Sequence, residues 1–147
     1  MTEVLIATDS DAVFDEVEAA LADESTSVVR VRSGHAVGDA VRVSAPDLVV
    51  LDLQIGNMGG IAVCLHLRAE AGEDRLPEVP VLLLLDRAAD VQLARRSGAE
   101  GWVVKPLDAF SLRRAATLVL DGETMPGASP ATAPAFVANA ILEPAED

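Results

Sequence analysis

The segment Pro46-Asp-Leu-Val-Val-Leu-Asp52-Leu-Gln-Ile-Gly-Asn-Met-Gly-Gly60 decides the fold. In it, an apolar run typical of a buried strand ends on the carboxylate of Asp52 and continues into a glycine-rich loop. A second apolar run, Gly101-Trp-Val-Val-Lys105-Pro106, ends on a lysine. In an open α/β sheet, ligands bind outside the carboxyl ends of the strands. We therefore expect Asp52 and Lys105 to meet in one site, although they are 53 positions apart.

Short apolar runs and segments with helical periodicity alternate five times before about residue 120. The expected strands are 4–7, 27–31, 48–51, 79–85 and 102–104. The first expected helix is capped by Ser10 or Asp11 and continues through residue 21. The next three are expected at 34–44, 60–71 and 89–97. The last is capped by Asp108 and continues through residue 119. This alternation predicts an α/β fold, a doubly wound five-stranded parallel sheet with helices on both faces.

Length and charge limit the classes of function. With 147 residues, half of them hydrophobic, the chain can form one domain with a buried core. No apolar run approaches the roughly 20 residues that span a bilayer, and the N-terminus lacks the basic region of a signal peptide. The formal charge of −13 repels phosphate backbones and anionic membranes. We therefore expect a cytoplasmic protein that binds no nucleic acid directly and no membrane.

The composition changes after residue 120. Residues 121–147 hold four prolines and five acidic residues with no basic one. We expect one domain at 1–120, followed by a mostly disordered Pro/Ala-rich tail at 121–147. Within the tail, 135–142 is apolar enough for a short helix, which either frays or docks on this domain or on a partner.

The motifs, taken in this order on five strand–helix repeats, resemble those of response-regulator receiver domains over about residues 2–120. The features that carry the resemblance are Asp9 after the first strand, Asp52 at the end of the third, the loop 57–60, the stretch 95–102 and the pair Lys105-Pro106. The resemblance implies a flavodoxin-like (βα)5 fold with strand order 2-1-3-4-5. It also implies that the chain works in two-component phosphorelay signalling.

The resemblance further assigns roles to the residues at the site. Asp52 would be the phosphoacceptor, and Lys105 would contact the transferred phosphoryl group. Mg²⁺, which prefers oxygen ligands, would be held by Asp9, Asp52 and the backbone carbonyl of Gln54. A cation there neutralises charge on the phosphoryl oxygens during transfer. The Lys105–Pro106 bond is a candidate for a cis peptide.

Several positions depart from the family pattern, and they mark the chain as an atypical receiver. The family usually has two adjacent acids after the first strand, whereas this chain has Thr8 before Asp9, which predicts weak Mg²⁺ binding. At the switch position that usually holds Ser or Thr, this chain has Leu85, followed by the acidic Asp86. The usual proline after the phosphoacceptor is replaced by Gly56. The switch aromatic is present as Trp102.

Simpler interpretations of the same residues stay open at this point. Asp52 could be a solvated loop carboxylate or a helix cap, and Asp9 could cap the first helix together with Asp11. Lys105 could be an exposed lysine at a strand end. Trp102 is expected to contribute packing rather than a working switch, because its hydroxyl partner is missing at Leu85.

Three functions compete. The first is a stand-alone receiver that takes a phosphoryl group from a histidine kinase, a phosphotransfer protein or a small donor. Such a receiver has no enzymatic activity beyond self-catalysed phosphorylation. It contacts a downstream effector protein through its last two helices. The second is a phosphorylation-independent pseudo-receiver, which Thr8 and Leu85 favour. The third is a flavodoxin-like nucleotide- or flavin-binding protein. The acidic sequence 8–11, which stands where a phosphate-binding glycine loop would be, counts against the third.

Overall fold

Five strands and five α-helices alternate along the chain in the computed structural model, which describes residues 1–56 and 58–128. The strands are β1 Thr2–Ala7, β2 Thr26–Val31, β3 Leu48–Asp52, β4 Val81–Leu85 and β5 Gly101–Val104. The helices are α1 Asp11–Leu21, α2 His35–Ser44, α3 Gly60–Gly72, α4 Val91–Arg96 and α5 Ala109–Leu120. The helix expected at 135–142 lies outside the described residues.

The strands form one parallel sheet in the order β2-β1-β3-β4-β5. The predicted fold class and strand order are therefore confirmed. Residue Asp52 pairs with Leu84, and Leu85 pairs with Val104, so the last residues of β3, β4 and β5 lie side by side. This register brings the carboxyl ends of the three strands to one edge of the sheet.

The core lies on both faces of the sheet, because successive side chains of a strand point in opposite directions. On one face the inward side chains of β3 and β4 pack against α2, α3 and α4, and they include Val49, Leu51, Val81, Leu83 and Leu85. On the other face they pack against α1 and α5, and they include Leu48, Val50, Leu82 and Leu84. Every residue of β4 is buried, which is why its sequence shows no alternation.

Side chains fix where α1 and α5 begin. The hydroxyl of Ser10 accepts a hydrogen bond from Val13 N–H at 3.2 Å, and a carboxylate oxygen of Asp108 accepts one from Ser111 N–H at 2.9 Å. Both caps agree with the sequence prediction, and each such cap stabilises a helix by about 1 kcal/mol. The alternative cap, Asp11, lies inside α1 and pairs with arginines of β2 and the residue after it.

The structure adds detail to the last two helices. The short helix expected at 89–97 is present as a 3-10 turn, Ala88–Asp90, that leads directly into the six residues of α4. In α5, Phe110 is 63% exposed, and the guanidinium of Arg114 lies 5.7 Å from the centre of its ring. Leu112, two residues further along α5, is buried. An exposed aromatic covered by an arginine gains a cation–π contact in place of burial.

The chain continues to pack on the sheet after α5. Met125 N–H donates to the carbonyl of Glu100 at 2.8 Å, and its sulfur accepts from Trp102 N–H at 3.2 Å. A β-carbon at Gly101 would lie 3.0 Å from that sulfur, so the glycine allows the close approach. Residues 121–128, which the sequence assigned to the tail, are therefore in contact with β5, and the packed part of the chain extends beyond the boundary expected at 120.

Among the residues that the structure describes, none of the helices combines the length and apolar character required to cross a membrane.

Candidate functional site at the carboxyl edge of the sheet

The carboxyl ends of β3 and β5 bring two opposite charges together. Lys105 Nζ lies 2.6 Å from Asp52 Oδ1, and the two side chains are 22% and 2% exposed. The predicted meeting of Asp52 and Lys105 is present, and the Lys105–Pro106 peptide bond is cis. The interpretations of Asp52 as a solvated carboxylate and of Lys105 as a free surface lysine therefore do not describe this structure.

Thr8 follows β1 and contacts Asp52 directly. Its hydroxyl donates a hydrogen bond of 2.6 Å to Asp52 Oδ2, and its side chain is fully buried. The same hydroxyl oxygen accepts from Ser10 N–H at 3.1 Å, which orients it. A hydroxyl in this position satisfies a carboxylate oxygen that would otherwise be buried without a partner. The position regarded as degenerate in the sequence is therefore part of the site.

Asp9 is held by the loop that follows β3. Its Oδ2 accepts a hydrogen bond of 3.1 Å from Gly56 N–H. The cap of α1 is Ser10, so Asp9 is free of that role. A proline at position 56 has no N–H and could not make this bond. The replacement of the family's proline by Gly56 therefore gives Asp9 a partner.

Asp86 shares the lysine with Asp52. Its Oδ1 lies 2.9 Å from Lys105 Nζ, so the ammonium group bridges two carboxylates. Burial raises the pKa of Asp86, but hydrogen bonds from Lys105 and the Gln54 side chain and the charge of Lys105 outweigh it and hold that pKa below its ordinary value.

The same contacts act on the lysine. Burial lowers the pKa of Lys105, but the hydrogen bonds to Asp52 and Asp86 and their charges outweigh it, so its pKa lies above the ordinary value. The ammonium group therefore remains charged at neutral pH and keeps both carboxylates paired.

The loop after β3 contributes backbone groups. Gln54 N–H donates to Asp52 Oδ1 at 3.2 Å, which places the Gln54 backbone next to the carboxylate. The loop returns closely over the strand, because a β-carbon at Gly60 would lie 2.6 Å from the carbonyl oxygen of Asp52. Only a glycine fits where α3 begins.

The donor set for a divalent ion is small. In the described part of the chain, no group of three or more His, Cys, Asp or Glu side chains is placed to hold a metal. Asp9, Asp52 and the carbonyl of Gln54 are oxygen donors, which suits Mg²⁺ in kind. However, Asp52 Oδ2 is bonded to Thr8 and Oδ1 to Lys105. A metal at Asp52 must therefore displace or compete with a protein hydrogen bond.

The two switch positions are apolar and buried. Leu85 is fully buried and Trp102 is 7% exposed, and both belong to the core on the side of α2, α3 and α4. The link from Leu85 to the site runs through its backbone, whose carbonyl accepts from Lys105 N–H at 2.7 Å. A leucine side chain has no group that could bond a phosphoryl oxygen. Trp102 contributes packing, as its sequence context suggested.

The contacts of Thr8, Gly56 and Asp86 were beyond the sequence prediction. Thr8 and Gly56 were noted only as departures from a pattern, and Asp86 only as additional negative charge. The signal that could have found them is their place next to the strand ends, since β1, β3 and β4 are neighbours in the sheet. Their partners depend on side-chain direction, which a sequence does not specify.

A family comparison agrees with this geometry. The model of the response regulator receiver domain matches residues 4–117. The chain therefore belongs to the response regulator receiver family. Receivers of this family are signalling domains of two-component systems and are not classical enzymes.

Curated relatives place this domain within longer proteins. The transcriptional regulatory protein CseB of Streptomyces avermitilis is 31% identical over 109 residues, which cover 73% of this chain and 44% of CseB. The DNA-binding response regulator MtrA of Mycolicibacterium smegmatis is 34% identical over 105 residues, which cover 70% of this chain and 43% of MtrA. The chain spans less than half the length of these two relatives.

Solved structures share the fold. The signal receiver domain of a signal transduction histidine kinase from Syntrophus aciditrophicus has a TM-score of 0.72 and 27% identity, and the match covers 83% of this chain and 92% of that one. The chemotaxis response regulator CheY4 of Vibrio cholerae has a TM-score of 0.68 and 24% identity, covering 80% and 97%. Both of these structures have the same fold as this chain over at least 80% of its length.

Proposed function

We propose that this chain is a stand-alone, atypical receiver that accepts a phosphoryl group on Asp52 and passes the signal on by protein–protein contact. The observation that carries the proposal is the 2.6 Å contact between Asp52 and Lys105 at the carboxyl edge of the sheet. This pair supplies two groups that phosphoryl transfer to an aspartate uses, a carboxylate that can act as the nucleophile and a cation that can stabilise the charge of the phosphoryl oxygens.

The proposed transfer makes one bond and breaks one. A carboxylate oxygen of Asp52 bonds to phosphorus, while the bond from phosphorus to the donor breaks and the donor keeps the electron pair. Lys105 then bonds a phosphoryl oxygen, because its charge persists at neutral pH. The donor is a histidine kinase, a phosphotransfer protein or a small phosphodonor, and in the last case Asp52 phosphorylation is self-catalysed.

Thr8 sets the condition for that transfer. Its hydroxyl bonds Asp52 Oδ2, and Asp52 is only 2% exposed. The hydroxyl must therefore turn away before Oδ2 can attack phosphorus. We expect phosphorylation to be slow for this reason.

Mg²⁺ would supply charge neutralisation at the phosphoryl oxygens. Asp9, Asp52 and the backbone carbonyl of Gln54 would hold it. Because Thr8 stands where a further carboxylate would add an anionic oxygen, we expect the affinity to be weak.

The test is mass spectrometry of the intact chain after incubation with acetyl phosphate and Mg²⁺. The expected result is a mass gain of one phosphoryl group that is absent in Asp52→Asn. Asp86→Asn is the matched control, because it also removes a carboxylate from Lys105 but leaves the acceptor in place. Equal mass gain in the wild type and Asp52→Asn would show that another residue accepts the group.

A second function is favoured by one specific observation. Both oxygens of Asp52 are already bonded by protein groups, Oδ1 by Lys105 and Oδ2 by Thr8. A carboxylate whose two oxygens are both bonded by protein groups suits a phosphorylation-independent pseudo-receiver that acts only as an interaction module.

A titration with Mg²⁺, monitored by the fluorescence of the single tryptophan, distinguishes the phosphoacceptor from the pseudo-receiver. Saturable quenching at millimolar Mg²⁺ supports the phosphoacceptor, and an absent response together with no mass gain supports the pseudo-receiver.

The proposed partners follow from the family and from charge. They are a histidine kinase or phosphotransfer protein and a downstream effector protein. The proposed output surface is the side of α4, β5 and α5. The formal charge of −13 counts against direct nucleic-acid binding and against anionic membranes. The proposed location is the cytoplasm, which is typical of receiver domains.

A further inference from the structure

The outer edge of β5 is partly covered by the chain itself. β5 is the last strand in the sheet, and residues 121–128, which we call the strap, run along it. The strap bonds the carbonyl of Glu100 and the N–H of Trp102 through Met125. Edge strands offer unpaired backbone groups to other chains, and covering the edge is one way in which proteins limit this.

The strap stops short of the end of β5. Lys105 N–H points inward, since it donates to the carbonyl of Leu85 in β4, whereas Trp102 N–H points outward to Met125. Backbone groups alternate between the two sides of a strand. Val104 N–H therefore points outward like that of Trp102, one step beyond the strap.

A groove lies at this uncovered part of the edge. It has a volume of about 430 Å³ and runs between β5, α5 and the strap. Its apolar lining includes Trp102, Val104, Leu118 and Met125. Arg114 and Asp108 provide the charged groups of its wall. The groove combines an apolar floor with an outward-facing backbone donor, which suits an apolar peptide.

We propose that this groove is the docking site for residues 135–142 of the same chain. The segment reads Ala-Phe-Val-Ala-Asn-Ala-Ile-Leu and has no charge. It is followed by Glu143, Glu146 and Asp147, which complement Arg114 in the groove wall. Its apolar side chains match the lining, and its acidic end matches Arg114, whereas the carboxylate of Asp108 is bonded to Ser111 N–H at the start of α5.

The length of the chain permits this docking. Ala128, the last described residue, stands two residues after Pro126, which itself lines the groove. Residues 129–134 separate Ala128 from the segment and can span up to roughly 20 Å when extended. A short tether gives the segment an effective concentration on the order of millimolar at the groove, so weak contacts suffice for docking.

Docking would have a consequence for signalling. The groove belongs to the side of α4, β5 and α5, so an occupied groove hides part of the proposed output surface. This consequence rests on the proposed function, whereas the docking itself does not. The chain would then carry its own competitor for the partner.

The test uses the full chain and its variant Phe136→Ala/Ile141→Ala, which removes the large apolar groups of the segment without touching the described domain. NMR measures hydrogen exchange of the Val104 amide in both. We expect exchange in the variant to be at least tenfold faster. The matched control is Thr132→Ala, in the connecting residues, with exchange as in the wild type. Arg114→Glu tests the groove side and should also accelerate exchange.

A synthetic peptide of residues 133–147, added to the double variant, should restore slow exchange at Val104 and shift the Trp102 signal saturably. Equal Val104 exchange in the wild type and the double variant would overturn the proposal.

Repeating the exchange measurement at two protein concentrations identifies the occupant of the groove. Protection that increases with concentration, together with a dimer in light scattering, would show a second copy in the groove and would likewise overturn docking within one chain. Neither readout depends on Asp52 phosphorylation.

Discussion

Two regions at the same edge of the sheet are held together by different forces. Around Asp52, charges and hydrogen bonds from Thr8, Lys105 and Gln54 leave no oxygen of the carboxylate without a partner. Around Leu85 and Trp102, contact is made almost wholly by apolar packing. The strand β5 joins the two regions, since it carries Trp102 and leads into Lys105. The difference teaches that this receiver retains the charged site, whereas, among the described residues, the neighbouring region around Leu85 and Trp102 has no polar side chain that could connect the site to the proposed output surface.

Removing Lys105 is the strongest test of the difference between the charged region around Asp52 and the apolar region around Leu85 and Trp102. Lys105→Met leaves the carboxylate of Asp52, 2% exposed, without its cation. Breaking a buried ion pair costs several kcal/mol, and the partial exposure of Lys105 reduces this to about 3 kcal/mol of unfolding free energy. Urea denaturation measures it.

The control for that variant is Arg87→Met, which removes an arginine that is 75% exposed from its pair with Asp90. Its effect should stay within about 0.5 kcal/mol. If the two variants lose equal stability, the Asp52 region is not held by charge. The double variant Asp52→Asn/Lys105→Met should recover part of the loss, because the buried charge at position 52 is removed together with its cation.

The apolar region is tested by Leu85→Thr. The substitution removes buried methyl groups and adds a hydroxyl, so it should cost about 2 kcal/mol of stability. It should also restore part of the response to phosphorylation, because a ligand shifts an equilibrium only through contacts that differ between the two states. NMR shift changes in β5 and α5 after phosphorylation measure the response.

Leu84→Thr is the matched control for the switch position. Leu84 is equally buried but packs on the opposite face of the sheet, against α1 and α5. It should lose similar stability without gaining a response. Shift changes in the wild type as large as those in Leu85→Thr would contradict the view that the missing hydroxyl limits the switch.

The acidic part of the site is tested by Thr8→Asp. The substitution replaces the hydroxyl on Asp52 with a carboxylate, and a hard divalent ion gains an anionic ligand. We expect Mg²⁺ affinity to increase about tenfold, which corresponds to about 1.4 kcal/mol. Isothermal titration calorimetry measures the Mg²⁺ affinity.

The control is Ser10→Asp, which adds the same charge at the cap of α1 and should change the affinity little. Unchanged affinity in Thr8→Asp would place the metal away from position 8.

The smallest effect concerns pH. The pKa of Asp86 is lowered in the fold, so its contribution to stability is present above its ordinary pKa of 3.8 and is lost as pH falls through the lower folded value. The pKa of Lys105 is raised, so its contribution is present below 10.5 and is lost as pH rises through the higher folded value. Between these limits, from about pH 5 to 9, the pair should stabilise the fold by a constant amount.

Asp86→Asn reveals this dependence. The melting temperature of the wild type should exceed that of the variant near neutral pH by an amount equivalent to about 1 kcal/mol or less, because both side chains are partly exposed. The difference should vanish in strong acid. A difference that grows as pH falls would mean that Asp86 is not stabilised as a carboxylate.

The sequence carried much of the fold and part of the site. Apolar runs and helical spacing predicted all five strands and the ends of most helices, because these are local patterns. Helical periodicity did not distinguish Phe110 from Leu112, and only the packing of α5 on the sheet decides that Leu112 is buried and Phe110 exposed.

What the sequence by itself determined is which chemical groups stand at the strand ends: Asp52, Lys105, and an acid in Asp9. Strand order then follows from the alternation and the family pattern, and it places these groups at one edge. Only the tertiary structure decided that the hydroxyl of Thr8 bonds Asp52, that Gly56 bonds Asp9, and that Met125 covers the edge of β5. The physical reason is that a strand pattern fixes the side of the sheet on which a residue lies, whereas a hydrogen bond requires two atoms from distant segments to meet within about 3 Å.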